Sequence, residues 1–165
     1  MHYRGLYYRA LNPIRAREAL SGIGARLHGG RFNPKGIPAL YTAMSVMTAI
    51  RWANQIGTLQ PTTLVSYKAD ITPVFDATDG DALDGYDMTP ADLAADDWWL
   101  RLRAHSKVPT QTLAERLIAD GYAGLQVPSF AKGSTGEDLN MVLWVWGCTI
   151  PTKLVLVDDE ERLLQ

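Results

Sequence analysis

Glycines, arginines, an Asn-Pro turn and a tyrosine crowd into one stretch, Gly22 to Tyr41, which reads G-I-G-A-R-L-H-G-G-R-F-N-P-K-G-I-P-A-L-Y. It carries five of the chain's fourteen glycines, together with Arg26, His28 and Arg31. Glycine lets backbone N–H groups turn toward a ligand and approach it closely. Arginine adds planar, permanently charged forks suited to phosphate or carboxylate. Such a loop suits an anion. The same residues also fit a tight surface connection with solvated charges. The length of the loop, with Leu27, Phe32 and Ile37 spaced through it, favours an ordered and functional one.

Other chemistries find less support. The three histidines, His2, His28 and His105, are scattered and none has helical spacing to another metal ligand, so no metal is expected. Cys148 follows a hydrophobic strand and reads as a buried or edge thiol rather than a nucleophile. The D-A-T-D-G-D run at Asp76 invites a calcium loop but lacks the glutamate such a loop requires. The G-I-G-A-R-L run lacks the third glycine of a dinucleotide fingerprint, and no G-K-[ST] follows any glycine loop. What remains is arginine plus glycine backbone, a tyrosine at a strand end and a serine on a second polar loop, P-S-F-A-K-G-S-T-G-E-D. That set suits the phosphates of a nucleotide and its aromatic base.

These residues need elements to hold them. Leu6–Leu11 reads as a strand ended by Asn12-Pro13, with Arg9 in its middle as an edge-strand charge or a cleft residue. Arg15–Leu20 reads as a short helix, and Ala39–Thr42 as a short buried strand after the glycine loop. Ser45 is a plausible N-cap for a helix from Val46 to about Ile56, halted by Gly57, with Val46, Ala49, Ile50 and Ala53 on its buried face. Thr62–Ile71 is the clearest strand, alternating Val65, Tyr67, Ala69 and Ile71 with Leu64, Ser66, Lys68 and Asp70. Asp76–Asp87 reads as loop or turns. Thr89-Pro90 opens a helix to about His105, and Gln111–Ala119 forms another. Ala123–Val127, Asn140–Trp146 and Lys153–Val157 are further strands. With no repeat or linker, residues 1–165 form one α+β domain.

Composition bounds the partners. At 165 residues and 47% hydrophobic content the chain can bury roughly 70% of its unfolded surface. A net charge of −2 and a pI near 5.9 argue against direct nucleic-acid binding. The charge is uneven, however. Asp70 to Asp97 holds nine aspartates, whereas Glu18 is the single acid of the first fifty residues. A local anion site fits this asymmetry better than a basic surface does. One cysteine excludes an internal disulfide. No apolar leader follows Met1 and no run reaches membrane-spanning length, so a cytoplasmic chain without membrane contact is expected.

The G-G-R-F-N-P-K-G-I-P-A-L-Y core, the T-A-I-R helix and the later G-Y-A-G-L-Q-V-P-S-F resemble the RES domain family, over nearly the whole chain from Tyr8 to Trp144. The family supplies the toxins of bacterial RES–Xre toxin–antitoxin modules. The resemblance implies an ADP-ribosyltransferase-like fold, a split and mostly antiparallel sheet with flanking helices around an NAD cleft. It implies a toxin that destroys NAD by hydrolysis or phosphorolysis of the nicotinamide–ribose bond, with NAD as substrate and an Xre/DUF2384-type antitoxin as partner. Some relatives instead transfer ADP-ribose to a protein.

Carried over one at a time, Arg9 and Arg31 match the family arginines and would hold the pyrophosphate or an adjacent ribose. Tyr41 would stack on or orient the nicotinamide side, and Ser129 would position the ribose or the attacking water. Gly30, His28, Asn33 and Asn140 are expected in the wall of the NAD cleft. One position departs: where the family has a glutamate, in a pattern like A-L-x-E, this chain reads A-I-R-W and places Trp52. A carboxylate there stabilises an oxocarbenium-like ribose and orients the nucleophile. Tryptophan does neither, so an impaired enzyme, or an inactive module that binds nucleotide or antitoxin, becomes a serious alternative. Trp98, Trp99, Trp144 and Trp146 are either core or partner surface.

Overall fold

The computed structural model describes residues 1–54 and 58–163, built around one seven-stranded sheet. Its central ribbon pairs β1 (Tyr3–Leu11) with β3 (Thr63–Ile71) in antiparallel register, from Tyr3 opposite Ile71 to Leu11 opposite Thr63. β3 alternates as the sequence predicts, with Val65, Tyr67, Ala69 and Ile71 buried and Leu64 and Lys68 exposed. β1 begins at Tyr3 rather than Leu6, because Tyr3 to Gly5 find ladder partners in Ala69 to Ile71.

The other strands are β2 (Leu40–Ala43), β4 (Val74–Asp76), β5 (Gly124–Pro128), β6 (Leu139–Leu143) and β7 (Thr152–Leu156). The sheet order is β4-β5-β6-β2-β1-β3-β7, and only β4 and β5 run parallel. β1 lies between β2 and β3, which overturns an edge-strand role for Arg9. β1 and β2 meet at one ladder position, Tyr8 opposite Ala43, so the sheet is split there. β6 stops short of the expected Trp146, because the Trp144 and Val145 N–H groups both donate to the Ala123 carbonyl. Adjacent β6 residues feed opposite faces: Val142 joins Phe32, Leu113, Leu117 and Leu125, while Met141 and Leu143 join Tyr7, Val65 and Tyr67.

Several helical expectations change. Pro13–Glu18 is a 3-10 turn, started by Pro13 and capped by the Asn12 side chain on the Ile14 N–H. The glycine stretch holds a short helix, α1 (Ile23–His28), ended by Gly29 at a φ of 73°. Of its three apolar markers only Phe32 is buried, whereas Leu27 is exposed. Ser45 does cap α2 (Val46–Ala53), accepting from the Thr48 N–H. The expected end at Ile56 and Gly57 lies outside the described residues. The buried face of α2 is Thr48 and Ala49, not Val46 and Ala53. The Asp76–Asp87 segment contains α3 (Gly80–Asp84), capped by Asp79.

The single helix expected from Thr89 to His105 is two: α4 (Pro90–Ala94), with a Thr89–Asp92 capping box, and α5 (Trp98–Arg103). The break falls at Ala95, whose ψ of 121° takes its carbonyl out of the helix and onto the Arg31 guanidinium at 2.9 Å. α6 (Pro109–Ala119) packs Leu113, Ala114 and Leu117 into the core. Cys148 is exposed rather than buried.

Candidate active site

The split between β1 and β2 opens into a cleft of about 1290 Å³. That exceeds the roughly 300–1,000 Å³ usual for small-ligand pockets. Arg9, Arg15, Arg31 and Arg103 line it, against a single lining carboxylate among the described residues, Asp96. Its electrostatic bias is therefore toward anions.

The glycine stretch is held by side chains far away in sequence. Asn33 is fully buried, and its amide nitrogen donates to the Ala25 and Ile37 carbonyls, both at 2.9 Å. The first turn of α6 grips the same loop, with Thr110 donating to the Arg31 carbonyl at 2.5 Å and Gln111 to the Gly30 carbonyl at 2.7 Å. Gly30 must be glycine: a Cβ there would stand 2.5 Å from the Tyr41 hydroxyl. That hydroxyl donates to Asn33 Oδ1 at 2.7 Å and accepts from the Phe32 N–H at 3.0 Å. Burial pushes its pKa far up, so it stays neutral. With the hydroxyl committed to the loop, Tyr41 offers the cleft its ring.

Arg31 is 8% exposed, its guanidinium carbon 4.6 Å above the Phe130 ring and 5.9 Å from that of Trp98. Burial lowers its pKa, opposed by Asp96 at 3.4 Å, yet an arginine stays charged. Its Nε–H is buried and has no hydrogen-bond partner among the described residues. Arg9 also lines the cleft, with Nη1 donating to the Ala19 carbonyl at 3.2 Å.

Trp52 faces this site. It lines the cleft on α2, with its ring centroid 5.8 Å from that of Tyr41 and the two planes tilted by 34°. The neighbouring Arg51 is pinned to Asp138, both carboxylate oxygens lying 3.0 Å from Nη1. Thr48 donates to the same carboxylate at 2.6 Å, which holds its pKa below the usual range. This lock ties α2 to the loop after β5.

The expected site residues thus divide. Arg9, Gly30, Arg31, Tyr41, Trp52 and Asn140 line the cleft. Asn33 shapes it from behind. His28 is exposed on α1 and is not in the lining. Ser129 is buried, accepts from the Ser134 hydroxyl at 2.9 Å and is not in the lining, although its neighbour Phe130 is. Sequence reasoning missed Thr110, Gln111 and Asp138, because their contacts to the glycine stretch and to α2 each span 78 residues or more. No group of three or more His, Cys, Asp or Glu among the described residues could hold a metal. No described helix is long and apolar enough to cross a membrane.

A family model described as the RES domain matches residues 6–162. A crystal structure of the M. tuberculosis MbcT–MbcA toxin–antitoxin complex is similar at a TM-score of 0.69 and 25% identity, covering 96% of this chain and 84% of the other. No curated protein matches the chain.

Proposed function

We propose, from the premise that this chain belongs to the RES domain family, that it is the toxin of a toxin–antitoxin pair and that its cleft takes NAD as substrate. The observation that carries this reading is the convergence of Arg9, Arg31, the Tyr41 ring and Asn140 on one arginine-rich cleft at the split of the sheet. Arg31 and Arg9, both in the cleft lining, hold the pyrophosphate. The Tyr41 and Trp52 rings offer flat surfaces to a base. Glycosidic cleavage would release nicotinamide and leave ADP-ribose joined to water, or ADP-ribose 1-phosphate if phosphate is the acceptor. The partner is an antitoxin of the Xre/DUF2384 type, which blocks the cleft.

Trp52 sets the pace of that reaction. Bond breaking builds positive charge on the ribose, which a carboxylate on α2 would stabilise. Trp52 withholds it, and Asp96, the single lining carboxylate among the described residues, stands 3.4 Å from Arg31. We therefore propose slow turnover, with a second reading, nucleotide binding without cleavage, favoured by the same observation. Transfer of ADP-ribose to a protein is the remaining alternative. Chromatography of radiolabelled NAD, and of the protein, after incubation with the purified chain and with Trp52→Glu, with and without phosphate, tests all three. Free nicotinamide supports cleavage, and a phosphate requirement names the acceptor. Label on protein supports transfer, and intact NAD with both proteins overturns the cleavage reading.

A further inference from the structure

Asn140 is a cleft residue whose buried amide no hydrogen bond among the described residues satisfies. It is 2% exposed, yet neither its amide nitrogen nor its amide oxygen has a hydrogen-bond partner among the described residues. Folded proteins pair nearly all buried side-chain amides, because an unpaired one is destabilising. Its backbone position does not call for asparagine either. β6 is an interior strand, Asn140 stands opposite Ala43 on one side and Val127 on the other, and the following Met141, Val142 and Leu143 are fully buried and apolar. A leucine would suit the strand better.

The surroundings say what the amide faces. Residues opposite one another across a ladder share a face, so Asn140 projects with Ala43 and lies diagonal to Tyr41, whose own partner is Val142. Ala43, Tyr41 and Asn140 all line the cleft, and Trp52 stands beside them, its ring tilted by 34° to that of Tyr41. An asparagine amide carries a donor and an acceptor side by side in one plane. Its complement is a planar group with an acceptor beside a donor. The amino edge of adenine is one, met by asparagine in nucleic-acid recognition. A ring carboxamide is another.

Resting on the NAD reading above, we infer that Asn140 is the specificity residue of the cleft: its amide pairs with a planar donor–acceptor edge on a ring lying against Tyr41 and Trp52. The adenine amino edge and the nicotinamide carboxamide share this chemistry, and the two ends of NAD supply one each. The amide is left unpaired in the free chain so that the ligand can complete it.

The experiment titrates the full chain, and its Asn140→Leu variant, with NAD, with nicotinic acid adenine dinucleotide and with nicotinamide purine dinucleotide, which lacks the 6-amino group. The first analogue alters the carboxamide and the second the adenine amino edge. The unaltered chain should bind NAD about tenfold or more tighter than one analogue, since mismatched buried polar groups are heavily penalised; which analogue suffers names the end. Asn140→Leu should bind NAD and that analogue alike, while unfolding at an equal or higher temperature. A structural role would move the midpoint down instead, and that result overturns the inference. So does equal affinity of the unaltered chain for NAD and both analogues, which also decides the matter should the variant fail to fold. Absence of NAD binding by the unaltered chain overturns the NAD reading and the inference together, whereas NAD binding without discrimination overturns the inference alone.

Discussion

Tyr41 has two surfaces with different tasks. Its hydroxyl is buried between Asn33 Oδ1 and the Phe32 N–H, and its ring lies in the cleft against Trp52. Tyr41→Phe therefore should leave the ring in place and strand two buried polar groups. The expected loss is about 1–3 kcal/mol of stability, read from urea unfolding, with NAD affinity little changed. Trp52 is the complementary case. Trp52→Glu restores a carboxylate where α2 meets the cleft, and nicotinamide release should rise by about a hundredfold or more, the scale of one well-placed electrostatic group. No gain on restoration would count against placing position 52 at the reacting sugar. The motif around Arg31 and Tyr41 was legible in the sequence because its residues are contiguous. The commitment of the Tyr41 hydroxyl was not, since only the folded loop shows that Gly30 leaves room for it.

At the level of elements, α2 is positioned by one carboxylate. Asp138 accepts from Thr48, from the Thr135 N–H and from Arg51, and these contacts hold its pKa below the usual range. An unfolded aspartate titrates at about 3.9, so the folded value lies lower. Protonation is then resisted by the folded state: the contribution is present above about pH 4 and is lost as the pH falls through the folded value. Urea midpoints of the unaltered chain should drop on going from neutral pH toward about pH 3, and those of Asp138→Asn should drop less. Equal slopes would show that the lock carries no stability. Neither this lock nor the break between α4 and α5 could be read locally. Residues 89–105 favour helix throughout, and it is the distant Arg31 that draws the Ala95 carbonyl out of it. β3, by contrast, was plain, because one buried face imposes strict alternation on a nine-residue strand.

The molecule as a whole joins two half-sheets through a single β1–β2 ladder position, and four of its eleven arginines line the cleft where they part. Composition alone already placed the positive charge in the first third of the chain and the acids beyond it. What composition could not supply was the convergence of β1, the glycine loop, α2, β6 and the α4–α5 break on one cavity. β2, the 60–62 segment and Phe130 contribute to it as well, and no spacing rule connects them. Arg31 ties these segments together, since it belongs at once to the cleft, to the Ala95 bend and to the Phe130 and Trp98 rings. The most direct measurement is therefore calorimetric titration of NAD into the unaltered chain, beside Arg31→Lys. Saturable one-site binding is predicted, weakened about tenfold or more by Arg31→Lys, since a charge-assisted bond is worth about 1.5–3 kcal/mol and an ammonium cannot reproduce the planar fork. No saturable binding, or binding that Arg31→Lys leaves unchanged, would contradict the assignment of this cleft to NAD.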